Sequence, residues 1–358
     1  MFRIIKSVPK CLFGKGSFNQ LSQLLEEKRT TNDSYFVFLV DDFFKDKLLA
    51  NRIPLNNNDY IIWVNVDDEP KTITVDKIRD QIKESGKRLP SAVIGIGGGS
   101  VMDYAKSVSV MLTNDGSSSL YQGLNLIKNQ GVYHIGIPTL SGTGAEVSMT
   151  AVLTGPEKKL GIKGEFTPFD LIVLDPELIY EAPKNQRFYT GMDVFIHNVE
   201  SMNGINKNCL SESYAKQSQI LCHQVFLDDN ITREEADEKL MVSSYMGGLS
   251  IGHSEVGVCH ALSYGLSYVL GFHHGIANCI AFNQLEDIYG SDVRDFHNMV
   301  DKHKIDIPNQ ISKGFTPEQF DKMTMTAIGL DHMWRHAFGP EWPKYVNKER
   351  IIDWYKRM

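Results

Sequence analysis

Asp193 and His197 lie four residues apart in the run GMDVFIHNVE, residues 191–200. On a helix they share one face, so a carboxylate and an imidazole point the same way. That is half of a metal site, and it is equally an ordinary surface pair. The run GVCHALSYGLSYVLGFHHGIAN, residues 257–278, adds His260 and His274, fourteen apart, on an apolar helical pattern. A buried histidine bonded to a carbonyl would explain either ring by itself. One aspartate and three histidines together are a donor set that suits a borderline divalent metal, Zn²⁺ or Fe²⁺. Spacing alone leaves open whether the four converge. His253, seven before His260, shares roughly its face and reads as a supporting or structural residue.

A second chemical signal is GIGGGSVMD, where Gly97, Gly98, Gly99 and Ser100 end an apolar run and open a helical one. Glycines at a strand–helix turn let backbone N–H groups approach a phosphate, and the helix N-terminus adds partial positive charge. The same turn can be purely structural, and no acid follows at the offset of the usual dinucleotide fingerprint. The acid able to hold a ribose comes earlier, at Asp41, where YFVFLV ends. A third loop, PTLSGTGAEV, residues 138–147, also follows a predicted strand. Three such loops at the carboxyl ends of strands make a nucleotide site more plausible than any one of them.

The elements that must position these residues fall into two halves. YFVFLVDD (35–42), YIIWVNV (60–66), SAVIGIGGGS (91–100) and VYHIGIPT (132–139) read as strands, and VDKIRDQIKESG (75–86) and VMDYAKSVSVML as helices. Alternation of this kind predicts a mostly parallel sheet covered on both faces. AVLTG and LIVLD, between 150 and 175, read as a hairpin. After the Pro-rich DPELIYEAPKNQ the pattern turns helical over 187–290 and 315–358. The expected organisation is an α/β dinucleotide-binding domain, 1–180, and a helical metal-binding catalytic domain, 181–358. A chain of 358 residues suits two cores.

Composition narrows the partners. Hydrophobic residues make 42% and charged residues 23%, an ordinary globular balance, and the net charge of −7 exerts no pull toward nucleic acid or an anionic membrane. Five cysteines without a CxxC pair fit a reducing compartment. The first residues do not read as a signal peptide, and no run of about 18 apolar residues exists to span a bilayer. A cytoplasmic location is expected.

GGGSVMD, PTLSGTGAEV, LDPEL, GMDVFIHNVE and VCHALSYGLSYVLGFHHGIAN occur in the order found in the iron-containing (group III) alcohol dehydrogenases. The chain resembles that family from about residue 10 to 290. The resemblance implies a Rossmann-like α/β domain followed by an all-α domain, the fold shared with dehydroquinate synthase and glycerol dehydrogenase. It implies that Asp193, His197, His260 and His274 are metal ligands. It likewise implies that Gly97, Gly98, Gly99, Ser100 and Asp103 hold the cofactor pyrophosphate, and that Asp41 lies near the adenosine ribose. By the same resemblance, Thr139, Ser141 and Thr143 are expected to line the cofactor and Lys159 to contact it. The implied cofactors are a divalent metal, Fe²⁺ or Zn²⁺, and NAD(P), with NAD favoured by Asp41. The implied assembly is a homodimer acting on a small polar molecule.

Two departures stand out. Where the family often carries a second histidine four after His260, thought to relay the alcohol proton, this chain has Tyr264. Tyr264 itself or His273 could take that role, and simple packing explains Tyr264 equally well. The tail, GLDHMWRHAFGPEWPKYVNKERIIDWYKRM, is aromatic, mixed in charge and shorter than the family's usual one. It is similar to that of the group oxidising the terminal hydroxyl of the acidic sugar 3-deoxy-D-manno-octulosonate (Kdo), toward 8-amino-Kdo and lipopolysaccharide. The expected substrate is therefore an acidic sugar, with tail tryptophans for stacking. Arg335, Lys344, Lys348 and Arg350 are available for a carboxylate, although a solvated charged tail explains most of them. The expected reaction is oxidation of a primary alcohol to an aldehyde, the metal acting as Lewis acid and the nicotinamide as hydride acceptor in a cleft between the domains. Rival readings are an NAD-dependent dehydrogenase of a small alcohol or diol, a lyase or synthase of the dehydroquinate synthase type, whose ligand set has Glu in place of Asp193, and a nucleotide-binding protein with a decayed metal site.

Overall fold

The computed structural model describes residues 4–85 and 88–358. The glycine stop expected at Gly86 lies outside them. The chain forms two compact units, one of residues 4–140 and 145–182, the other of 141–144 and 183–358.

The first unit is built on a parallel sheet ordered β1-β9-β6-β4-β2-β3. Its strands are β1 (Cys11–Phe13), β2 (Phe36–Asp41), β3 (Tyr60–Val64), β4 (Ala92–Gly97), β6 (His134–Pro138) and β9 (Leu171–Leu174). The helices are α1 (Leu21–Glu26), α2 (Leu48–Arg52), α3 (Thr72–Glu84) and α4 (Gly99–Met111). Every residue of β2, β4, β6 and β9 is buried. Continuous apolar runs of this kind are what a sheet covered on both faces requires. Phe36, Phe38, Val40, Ile94, Ile96, Ile135, Ile137 and Val173 form one core face with Phe18, Leu21 and Phe44. The chain goes from β2 outward to β3, then returns to the other side of β2 for β4. The carboxyl ends of β2 and β4 therefore flank the point where the strand order reverses, the usual ligand position in such sheets.

A second, three-stranded sheet is ordered β5-β8-β7, with β5 (Gly123–Leu124), β7 (Thr150–Thr154) and β8 (Lys159–Lys163). This corrects the hairpin drawn from sequence. The antiparallel partner of β7 is β8, with Ala151 opposite Ile162. LIVL instead joins the main sheet, with Ile135 opposite Leu171. The physical reason is burial: LIVL is apolar on both faces and suits the interior of a parallel sheet, whereas KLGIK ends in a lysine on each side and is interrupted by Gly161. Asp175, from LDPEL, is fully buried and accepts hydrogen bonds from the N–H groups of Gly16 and Phe18, both at 3.0 Å. It anchors the end of β9 and is structural.

The second unit is helical: α5 (Lys184–Asn203), α6 (Cys209–Leu227), α7 (Arg233–His253), α8 (Val258–Leu270), α9 (His274–Phe282), α10 (Glu286–Tyr289), α11 (Ser291–His303), α12 (Pro317–Ile328), α13 (Asp331–Phe338) and α14 (Lys348–Arg357). Reciprocal capping boxes at Asn208, Thr232 and Thr316 start α6, α7 and α12.

The tail tryptophans are core, which removes the stacking role expected for them. Trp334 and Trp354 are fully buried and stack at 6.2 Å with 6° between their planes, and Trp342 stacks on Trp334 at 6.0 Å. Trp334 Nε1 donates to Ala327 O at 2.7 Å, and Tyr355 Oη donates to Leu262 O at 2.8 Å. An amphipathic tail with its apolar stripe turned inward buries these rings on α8. Its cations stay at the surface: Arg335 pairs with Asp331, and Lys344 with Glu341 at 2.7 Å.

Candidate metal centre

Four buried or half-buried side chains of the helical unit meet around one point. Asp193 and His197 stand on α5, His260 on α8 and His274 at the first position of α9. The break between α8 and α9 is made by Gly271, whose φ of 76° takes the left-handed conformation at the helix end. That turn lets two histidines fourteen apart point back into one space.

Asp193 Oδ1 lies 3.5 Å from His197 Nε2, 3.4 Å from His260 Nε2 and 3.6 Å from His274 Nε2. All four donor atoms lie within 4.8 Å of one another. For a tetrahedral ion with ligand bonds of about 2.1 Å, neighbouring donors stand roughly 3.4 Å apart. The three contacts made by Asp193 match that edge. The second carboxylate oxygen, Oδ2, is buried without a hydrogen-bond partner. An acceptor buried in this way is satisfied when a cation sits against it. The residues therefore fit a divalent metal.

Charge is arranged to match. Burial raises the Asp193 pKa, but His197, His274 and His260 outweigh it and hold the carboxyl below its usual range. Burial lowers His197 to about 4 against the attraction of Asp193, so this imidazole is neutral and able to donate a lone pair. Burial opposes protonation of His260 too, yet Glu200 and Asp193 together push it up to about 9. A proton or a metal must neutralise this carboxylate-rich pocket.

Sequence reasoning missed three residues here. Glu200 is buried and accepts from His260 Nδ1 at 2.5 Å. Its signal was present, since Asp193, His197 and Glu200 fall at i, i+4 and i+7 on one helical face. Asn278 donates to Asp193 Oδ1 at 2.6 Å and lies 3.2 Å from both His260 Nε2 and His274 Nε2. It stands four after His274, one turn along the same face. Tyr289 hydrogen-bonds Glu200 at 3.0 Å and carried no signal in the sequence.

The relay candidates differ in setting. Tyr264 is 8% exposed, with its ring 6.0 Å from His274 and edge-on at 71°. His273 is exposed and caps the start of α9 with extended backbone. His253 stacks on Tyr214 at 5.8 Å.

In the first unit, Asp41 ends β2 and its side chain caps the following turn at Phe43 N, 3.0 Å away. Gly97 ends the neighbouring β4, and a Cβ there would come within 2.5 Å of Val101 Cγ2 and 3.1 Å of Asp41 Cβ. Glycine is thus required by the packing of the turn itself. Gly98 is the N-cap of α4, Gly99 and Ser100 open the helix, and no side chain caps it. A 13-residue helix starting on a glycine without a side-chain cap is the kind of N-terminus toward which an anion is attracted. Thr139 N bonds Gly97 O at 2.9 Å, which brings the third loop beside the turn.

Two implied cofactor residues are engaged elsewhere in this unit. Asp103 accepts from Val152 N at 3.0 Å, and Lys159 pairs with Glu69 at 2.8 Å. Ser141 and Thr143 fall on the segment 141–144 that packs with the helical unit. The chain also buries Lys106, unremarked in the sequence, whose Nζ bonds Ser148 O and Thr150 O at 3.0 and 2.9 Å.

Comparison with known proteins agrees with this geometry. The family described as iron-containing alcohol dehydrogenase matches residues 9–176, and its C-terminal counterpart matches residues 187–303. Sulfoacetaldehyde reductase of Bilophila wadsworthia is 28% identical over 280 residues, covering 76% of this chain and 70% of that protein. NAD-dependent methanol dehydrogenase of Bacillus methanolicus is 26% identical over 281 residues, covering 76% and 72%. An iron-containing alcohol dehydrogenase of Thermotoga maritima has the same fold, with a TM-score of 0.79 at 21% identity over 99% of both chains. With both halves matched in order, the chain belongs to the iron-containing alcohol dehydrogenase family, metal- and nicotinamide-dependent oxidoreductases acting on alcohols.

Proposed function

We propose that this chain interconverts a primary alcohol and its aldehyde at a divalent metal held by Asp193, His197, His260 and His274, with NAD(H) bound along Gly97–Ser100. The observation that carries this reading is the convergence of one buried carboxylate and three imidazoles from α5, α8 and α9 at 3.4–3.6 Å. A bound divalent ion supplies Lewis-acid polarisation of the substrate hydroxyl, lowering its pKa. The protein's own groups do the rest. Asn278 holds Asp193 Oδ1 in place. Tyr264 and His273 are the side chains proposed to pass the alcohol proton outward. The uncapped N-terminus of α4 receives the pyrophosphate, with Thr139 beside it.

Cofactor choice follows from Asp41. Burial raises its pKa, the Phe43 N–H opposes this, and the carboxylates of Asp42 and Asp67 raise it further. Three acids at the ends of β2 and β3 repel a 2′-phosphate. The kcat/KM with NAD is expected to exceed that with NADP by at least about tenfold at neutral pH. Because the folded pKa of Asp41 is raised, it protonates earlier than a free aspartate as pH falls. The preference should therefore shrink toward acid pH, and Asp41→Ala should shrink it at every pH. Equal use of both cofactors by the wild type at neutral pH would contradict the role of Asp41.

For the substrate, we propose the C8 hydroxyl of Kdo. The support is the resemblance carried by the tail and Tyr264 in place of the common relay histidine. The tail tryptophans lend it none, being buried. A small polar alcohol is the second reading, favoured by the sulfoacetaldehyde reductase and methanol dehydrogenase relatives. Competitive kinetics with metal and NAD supplied separates them: Kdo against 1,3-propanediol, glycerol and butanol, following NADH formation and oxygen uptake. A higher kcat/KM for Kdo supports the first reading. A higher value for a small alcohol leaves the second.

A further inference from the structure

We propose that Glu200 is a positioning residue that presents His260 to the metal and supplies the second negative charge of the site, an inference resting on the metal-centre reading above. Glu200 is 1% exposed on α5, seven residues after Asp193. Its Oε2 accepts from His260 Nδ1 at 2.5 Å. Its Oε1 accepts from Cys259 N at 2.7 Å and from Tyr289 Oη at 3.0 Å. The carboxylate is thus held from behind by a backbone amide and a buried hydroxyl, independently of any ion.

The consequence for His260 is a choice of ring nitrogen. With the Nδ1 hydrogen given to Glu200, the lone pair of Nε2 points toward Asp193 Oδ1, 3.4 Å away. A carboxylate behind an imidazole also makes the ring a stronger donor. His197 has no equivalent: its Nδ1 is buried without a partner. Of these two ligands, His260 is therefore the one whose ring the protein orients from behind. Asp193 and Glu200, both buried, together carry two negative charges, which matches a divalent ion.

The test uses metal-stripped full-length protein titrated with Co²⁺, read by the visible d–d absorption. Glu200→Gln keeps the shape but turns an N–H toward His260 Nδ1, favouring the tautomer whose Nε2 carries hydrogen and cannot ligate. It is expected to weaken Co²⁺ binding about 10- to 100-fold and to change the d–d spectrum. Glu200→Asp, retaining the charge, should recover part of the affinity. Tyr289→Phe, which leaves the carboxylate–imidazole contact, should stay within about threefold of wild type. A folded Glu200→Gln protein with wild-type affinity and spectrum overturns the proposal. If that variant does not fold, ¹⁵N NMR of zinc-loaded wild type decides. His260 is expected to bind through Nε2 with hydrogen on Nδ1, and binding through Nδ1 overturns the proposal. Wild type that binds no Co²⁺ overturns the metal reading itself, an outcome distinct from equal binding by wild type and variant.

Discussion

His260→Ala is expected to lose its metal and its turnover together while the helical unit stays folded. The ring is 2% exposed and lies between two other donors, stacked on His197 at 4.8 Å and tilted toward His274 at 5.3 Å. Alanine removes the donor that links Asp193 to Glu200 and leaves both carboxylates short of a partner. The apolar neighbours that pin α8, among them Ala261, Leu262 and Leu266, are untouched. Loss of the Lewis acid removes several kcal/mol of transition-state stabilisation, so kcat/KM should fall by about 10³-fold or more. Elemental analysis alongside a thermal melt and an NADH assay checks this. Full metal occupancy in the folded variant would contradict the ligand assignment.

Gly142→Ala is expected to damage stability more than any other single methyl addition in the segment 141–144. Gly142 has φ of 146°, a conformation that side chains rarely adopt, and a Cβ there would lie 1.6 Å from Thr190 O. That oxygen belongs to α5, three residues before Asp193, and a helix carbonyl cannot swing aside as a side-chain tip can. Strain and backbone displacement together should cost about 4 kcal/mol or more. At roughly 2–4 °C per kcal/mol for a unit of this size, the melting transition of the helical unit should fall by about 10 °C. Metal affinity should fall with it, since the displaced turn leads into Asp193. A variant melting within about 2 °C of wild type would show that the backbones are not packed this closely.

Much of this architecture was legible because periodicity and burial agree. The apolar runs YFVFLV and SAVIGIG read as buried strands, and both are interior strands of the sheet. The hairpin around residue 160 was misread because KLGIK carries only two apolar side chains around a glycine, while the wholly apolar LIVL has a stronger strand signal that belongs to the long-range parallel sheet. Pairing between distant strands is not written in local pattern. At the metal centre, residue types and helical spacing singled out the four donors. The same spacing puts Glu200 on the donors' face, but its role rests on contacts with His260 and Tyr289 that span 60 and 89 positions in the chain and leave no local pattern. The tail misled for the opposite reason. Exposed and buried tryptophans look alike in sequence, and only the stacking of Trp334, Trp342 and Trp354 in the helical core shows that these rings are structural.

X-ray absorption on zinc-loaded protein tests the central claim most directly. The account predicts one zinc per chain, bound to three imidazole nitrogens and one carboxylate oxygen of the protein at about 2.0–2.1 Å, with no sulfur in the shell. Cys259 and Cys279 are buried and adjacent in sequence to His260 and Asn278, but Cys259 Sγ is turned to Asn278 O at 3.3 Å and neither thiol belongs to the donor cluster. A zinc–sulfur distance near 2.3 Å, or a protein that retains no stoichiometric zinc, would contradict it.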